Sequence, residues 1–229
     1  MDENLIKNIY KNKVKKSHDY FMEKISEICP IKKWNNSWRH KDAPRCKCII
    51  DFINWIDKYN IQSCENLGYT SDNDPELEFI NAKNKYLHAY VGHDDNDKEK
   101  LSNDLHIFVP NILYDFFIFN QTLEHLYNPF LAVNQIYKTI KPGGYVFTSV
   151  PTINIPHETP FNFYNHYPMG LAILFVSAGF EIIETGQWGN YNYINYIFKN
   201  HGWPDIYNVG QHNEERNVAQ CWILVKKPI

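Results

Sequence analysis

The stretch Tyr114 to Pro151, YDFFIFNQTLEHLYNPFLAVNQIYKTIKPGGYVFTSVP, constrains the fold more than any other part of the chain. It opens on Asp115 and the apolar run FFIFN, crosses a short turn carrying Glu124 and His125, and enters a helix-forming segment over 128–140. Asn128 suits the cap position, and Pro129 suits the first helical position, where its missing N–H has no intrahelical partner to lose. Pro142-Gly143-Gly144 ends the helix, and YVFTSV is a short β-branched and aromatic run bounded by turns. A strand, a helix and a second strand in this order make a parallel crossover, and a parallel sheet is buried on both faces. The same alternation governs the chain from residue 60 onward. Strands are expected near 61–67, 86–91, 105–109, 115–120, 145–150, 180–188 and 219–226, with helices over 74–84, 96–102, 128–140 and 168–178. Ligands of such sheets sit beyond the carboxyl ends of the strands. Attention therefore falls on Gly68, Asp94, Asn120 to His125 and Pro151 to His157.

Before residue 60 the pattern is helical. Leu5, Ile9, Tyr20, Phe21, Ile25 and Ile28 give residues 3–28 an apolar stripe among lysines and glutamates, ended by Cys29-Pro30. A second helix, capped by Asp42 with Pro44 in its first turn, buries Ile49, Ile50, Ile53 and Ile56. The expected organisation is a helical extension over 1–59 and an α/β domain over 60–229, with 190–217 inserted before the last strand. A lid, an oligomer contact and a surface excursion are all open for that insertion. Of the 229 residues 44% are hydrophobic, ample for a core, and the net charge of −3 gives no general grip on nucleic acid or an anionic membrane. Five irregularly spaced cysteines argue against a disulfide framework, and Cys46-Lys-Cys48 lacks the second pair a zinc site needs, so no metal is expected. No signal peptide or membrane-spanning run is visible, and the expected compartment is the cytoplasm.

The Leu123-Glu124-His125 turn followed by Lys141-Pro142-Gly143-Gly144 resembles the class I S-adenosylmethionine-dependent methyltransferases in order and spacing. YVGHDD, Tyr90 to Asp95, is similar to the end of the second strand in a branch associated with glycans and natural products. PTINIPHETPFNFYNHYP resembles a segment of that branch with a histidine, a proline three residues on and an aromatic run. SAGFEIIETGQWGN and NVAQCWILVKK resemble the closing antiparallel strands, so the likeness covers roughly 60–227. It implies an α/β fold: a Rossmann-like seven-stranded methyltransferase sheet with helices on both faces and the last strand antiparallel, behind the N-terminal helical extension.

The resemblance assigns Asp94 to the ribose hydroxyls, Asp104 and Leu105 to the adenine side, and Gly68, Thr70, Asn120 and Gln121 to the cofactor turns. Asn162 and Asn165 stand where related segments carry an acidic and a basic residue. The loop SCENLGYTSDND, Ser63 to Asp74, keeps one of the usual glycines and puts Thr70 and Asp72 at the other two positions. A phosphate ligand would be repelled by Asp72 and Asp74, whereas S-adenosylmethionine carries an ammonium that acids can hold and a carboxylate that backbone N–H groups can hold. His125 and His157 each follow a strand end and are the expected catalytic pair, since imidazole is a base near neutral pH. The implied activity is O-methylation of a sugar or other small hydroxylated acceptor. A methyltransferase-like binding or assembly protein without catalysis is the alternative, and a homodimer is open. A nicotinamide-dependent dehydrogenase would explain the strand–helix alternation but not Leu-Glu-His with Lys-Pro-Gly-Gly.

Overall fold

The computed structural model describes residues 2–15, 43–88, 105–107, 111–157, 160–210 and 212–229. Helix α1 (Glu3–Ile9) starts where the Asp2 carboxylate accepts from the Asn4 amide, and it continues as a π-helical turn over Tyr10–Val14. The remainder of the helix expected to residue 28, and the Asp42 cap of the next one, lie outside the described residues. Helix α2 (Ala43–Tyr59) leads into β1 (Ser63–Tyr69) and β2 (Asn81–Leu87). Then come β3 (Tyr114–Ile118), α3 (Pro129–Thr139), β4 (Ile140–Pro151), α4 (Pro168–Ser177) and β5 (Glu181–Trp188). Helices α5 (Tyr191–Asn200) and α6 (Ile206–Val209) precede the final strand β6 (Gln220–Lys226).

The strands form one sheet in the order β2-β1-β3-β4-β6-β5. β2, β1, β3 and β4 pair in parallel, and β6 runs antiparallel to both β4 and β5. Six strands are present among the described residues where seven were expected: Leu105–Ile107 is a turn, and 108–110 lie outside them. The last strand is antiparallel, as the resemblance implied.

Side chains alternate across the sheet, and so divide the core. Phe117, Phe119, Val146 and Val225 face one side, against α3 and α4. Phe116, Ile118, Phe147 and Leu224 face the other, where Phe52, Trp55 and Ile56 of α2 and Tyr193 and Ile197 of α5 cover them. Helix α2, read from the sequence as part of an extension, is thus inside the domain core. Its Trp222 partner shows how tightly: the indole N–H donates to Asp51 at 2.9 Å, and Asp51 also accepts from Lys47.

The helix expected over 74–84 is absent. Pro75–Glu78 makes one 3-10 turn, and β2 follows at Asn81, earlier than the strand expected at 86–91. The expected helix 96–102 lies outside the described residues. α3 begins as expected, with the Asn128 side chain accepting from the Leu131 amide and Pro129 at the first position. The insertion is not an irregular loop: Asn190 caps α5 by accepting from the Tyr193 amide, and its amide group donates to His212 O at 2.9 Å. Cys46, Cys48, Cys64 and Cys221 are all free thiols. Among the described residues no helix is long and apolar enough to cross a membrane.

Candidate active site

A cavity of about 560 Å³ opens beyond the carboxyl ends of β1, β3 and β4. Its walls come from the start of α2 (Pro44, Arg45), the turn after β1 (Asn73, Asp74), Gln121 after β3, and Ile153 to His157 after β4. Tyr193, Ile197 and Trp203 of the insertion close the remaining side.

The turn after β1 does not begin at Gly68. Gly68 lies inside β1, paired with Tyr86 of β2 and Phe117 of β3. A Cβ there would stand 2.3 Å from Phe117 Cδ2, so the missing side chain makes room for the Phe117 ring. The chain turns instead at Ser71–Asp74, where the Asp74 amide donates to Ser71 O at 3.2 Å. Thr70, the first residue past the strand, is buried with its hydroxyl 2.9 Å from that of Thr122. Because Thr122 donates its only hydroxyl proton to Asn120 O at 2.7 Å, Thr70 is the donor in that pair. The two threonines therefore tie the turn after β1 to the turn after β3.

Asn120 and Gln121 converge on Ser149 of β4. Ser149 Oγ donates to Asn120 Oδ1 at 3.1 Å, and the Gln121 amide and side chain donate to Ser149 O and Oγ. Gln121 adopts φ 45°, an uncommon backbone state for a residue with a side chain, of the kind that collects at ligand sites. Asn120 Nδ2 is buried with no hydrogen-bond partner among the described residues. Leu105 is buried in the core cluster on the α3 and α4 side of the sheet, away from the cavity lining. Asp94 and Asp104 lie outside the described residues.

His125 and His157 are brought together. His125 closes the 3-10 turn Leu123–His125, and His157 lies in the segment after β4 and lines the cavity. The rings meet edge to face, with centroids 4.9 Å apart and planes at 88°. His125 Nδ1 lies 2.6 Å from Phe161 O, and His157 Nδ1 lies 3.2 Å from Ile155 O. A carbonyl only accepts, so both Nδ1 atoms carry the proton, and in the neutral rings Nε2 carries the lone pair. Glu124, fully buried beside them, has a carboxylate oxygen 3.8 Å from His125 Nε2.

A second charged cluster escaped the sequence reading. Arg45 of α2 grips Glu76 with both guanidinium nitrogens, at 2.5 and 2.7 Å, and lies 3.5 Å from Asp74 Oδ1. All three side chains are buried. Burial first, and the neighbouring charge of Glu76 second, push the Asp74 carboxyl well above the usual carboxylate range, against the pull of Arg45. Asp74 Oδ2 is buried without a partner among the described residues. Arg45 falls on the same helix face as Ile49, Phe52 and Ile56, the pattern of a charged residue inside an apolar stripe, and that spacing was legible.

A family profile described as a methyltransferase domain matches residues 45–205. The chain belongs to this methyltransferase family. The match starts within α2, in accord with that helix's place in the core. No curated protein sequence matches the methyltransferase. Solved structures do, at the level of the fold. One is the N-methyltransferase NodS from Bradyrhizobium japonicum with S-adenosyl-L-homocysteine: 11% identity, 93% of this chain and 99% of that one, TM-score 0.51. Another is the 1,6-didemethyltoxoflavin-N1-methyltransferase of Burkholderia thailandensis, 12% identical over 85% of this chain and 82% of that one, TM-score 0.51. A third is an S-adenosylmethionine-dependent methyltransferase from Clostridium acetobutylicum, 10% identical over 80% and 92%, TM-score 0.50.

The side chains at this end of the sheet fit the cofactor of such a fold. Asp74 lines the cavity and has a bare buried carboxylate oxygen, the complement of an ammonium; Asn120, whose bare buried amide N–H is the complement of a carboxylate, lies next to the lining residue Gln121 and not in the lining itself. Both stand beyond strand ends, where ligands of open α/β sheets bind.

Proposed function

We propose that the methyltransferase carries a methyl group from S-adenosylmethionine to a hydroxyl oxygen of a small acceptor, a sugar or another hydroxylated compound. The observation that carries this reading is that Asp74 and His157 line one cavity. Asp74, which gives up the proton that its raised pKa retains once a second positive charge joins Arg45, holds the cofactor's ammonium through Oδ2, and Asn120 Nδ2 meets its carboxylate. The cofactor, when bound, supplies a sulfonium whose methyl carbon accepts a nucleophile, leaving a thioether. His157, with Nδ1–H fixed on Ile155 O, presents Nε2 as the base that takes the acceptor's hydroxyl proton as the oxygen attacks. Trp203, Tyr193 and Ile197 give the acceptor an aromatic and apolar wall that excludes water. Resemblance assigns the ribose hydroxyls to Asp94.

Calorimetric titration with S-adenosylhomocysteine tests this. Binding is expected in the micromolar range, and Asp74→Asn should weaken it by about tenfold or more, roughly the worth of one charge-assisted hydrogen bond. His157→Ala should keep that affinity and lower kcat on a hydroxylated acceptor by about a hundredfold. No heat at millimolar ligand overturns the reading, and unchanged turnover in His157→Ala removes that histidine as the base.

A further inference from the structure

The histidine pair carries more than a base. Among the described residues Glu124, His125 and His157 form a set in which a carboxylate oxygen and one nitrogen from each ring all lie within 4.8 Å of one another. We propose that these three side chains bind a divalent first-row transition-metal ion, with its remaining coordination position facing the cavity. This goes beyond the methyl-transfer reading, since it concerns a cation that the reading does not require.

Three observations support it. First, the donors are of the right kind: two imidazoles and one carboxylate are a ligand set for zinc and for iron, cobalt or nickel in the divalent state, and a poor one for magnesium or calcium. Second, the rings are already oriented as ligands. Each Nδ1–H is held by a backbone carbonyl, Phe161 O for His125 and Ile155 O for His157. This is the outer-shell arrangement that fixes Nε2 as the coordinating atom and raises its basicity. Third, the environment is graded. Glu124 and His125 are buried and His157 is half-buried at the cavity wall, so two ligands are preset in the interior and the third stands where an ion would enter. An ion about 2.1 Å from each donor needs donors about 3.4 Å apart in a tetrahedral site. The carboxylate of Glu124 and Nε2 of His125 stand at 3.8 Å, so closure consists mainly of drawing His157 inward. In the metal-bound state His157 Nε2 would be a ligand rather than the base, and the ion would supply Lewis acidity that lets an acceptor hydroxyl lose its proton to solvent.

The alternative soft site is Cys46 with Cys48, both buried on α2. The test separates the two. Chelator-treated full-length protein is titrated with Co²⁺, followed by visible absorption, and with Zn²⁺, followed by calorimetry. The expected result is one ion per chain at micromolar affinity, with ligand-field bands of low-symmetry nitrogen and oxygen coordination and no thiolate charge-transfer band. His157→Ala, a half-buried loop position, should weaken binding at least about tenfold, and Glu124→Gln should do the same. A thermal shift by S-adenosylhomocysteine, retained in both variants, shows that they are folded. No binding to wild type, undiminished binding in His157→Ala, or a thiolate band overturns the proposal. If the metal fails while S-adenosylhomocysteine still binds, only this inference falls. If the metal binds and S-adenosylhomocysteine does not, the methyl-transfer reading falls alone.

Discussion

His88, the first residue past β2, is buried with Nε2 2.7 Å from the Tyr114 hydroxyl and its ring stacked on Phe117. Burial lowers its pKa from 6.5 to about 4. The folded state therefore refuses a proton that the unfolded chain accepts. Stability from this group is whole above the unfolded value of 6.5 and is lost as pH falls from there toward about 4, a loss of up to about 3 kcal/mol. Urea midpoints at pH 7 and pH 5 should show the decline, and His88→Gln, which can keep a bond to Tyr114, should flatten it. An unaltered pH slope in that variant would place the effect on other groups. At this scale the site was partly legible. A histidine at each of two strand ends was enough to expect His125 and His157 in one cleft, and their rings do meet. Arg45 was not found because the helix that carries it was read as lying outside the domain. The partner it holds, Glu76, was expected on a helix that does not form.

At the scale of elements, β1 against β3 is the joint that decides where the turn after β1 starts. Gly68 has no room for a methyl group beside Phe117, whose Cδ2 and Cε2 would lie 2.3 and 2.5 Å away. Gly68→Ala should destabilise the fold by about 1–3 kcal/mol through overpacking, measured by urea denaturation, and Phe117→Leu should restore part of the loss. Additive losses in the double variant would show that the two positions do not share the space. The β3–α3–β4 unit was legible because cap, first-turn proline and a β-branched strand agreed there; the glycine stop was not the helix end, since α3 gives way at Thr139 to β4, which contains Pro142-Gly143-Gly144. β2 was not legible. Its sequence NAKNKYL has little β preference, and it is a strand because β1 offers an edge to pair with, a tertiary cause that composition does not register. The helix within the insertion went unexpected for the opposite reason. Asn190 as cap with Tyr193 and Ile197 four apart is a helix signature hidden in a polar stretch.

For the whole molecule, sheet order matters more than any single contact. β5 pairs with β6 alone among the described strands, and β6 lies between β4 and β5. Removing residues 219–229 should therefore take two strands out of the sheet and expose the apolar faces of α2 and α5. Such a truncation is expected to give a chain without a cooperative thermal transition, and a sharp transition in it would show that β5 can pair elsewhere. Trp222 on β6 also reaches Asp51 on α2, a bond between residues 171 positions apart. During synthesis α2 leaves the ribosome long before that partner exists. The helix and the first four strands must wait, with one face uncovered, until β6 has been made, so the native sheet closes late in the order of synthesis.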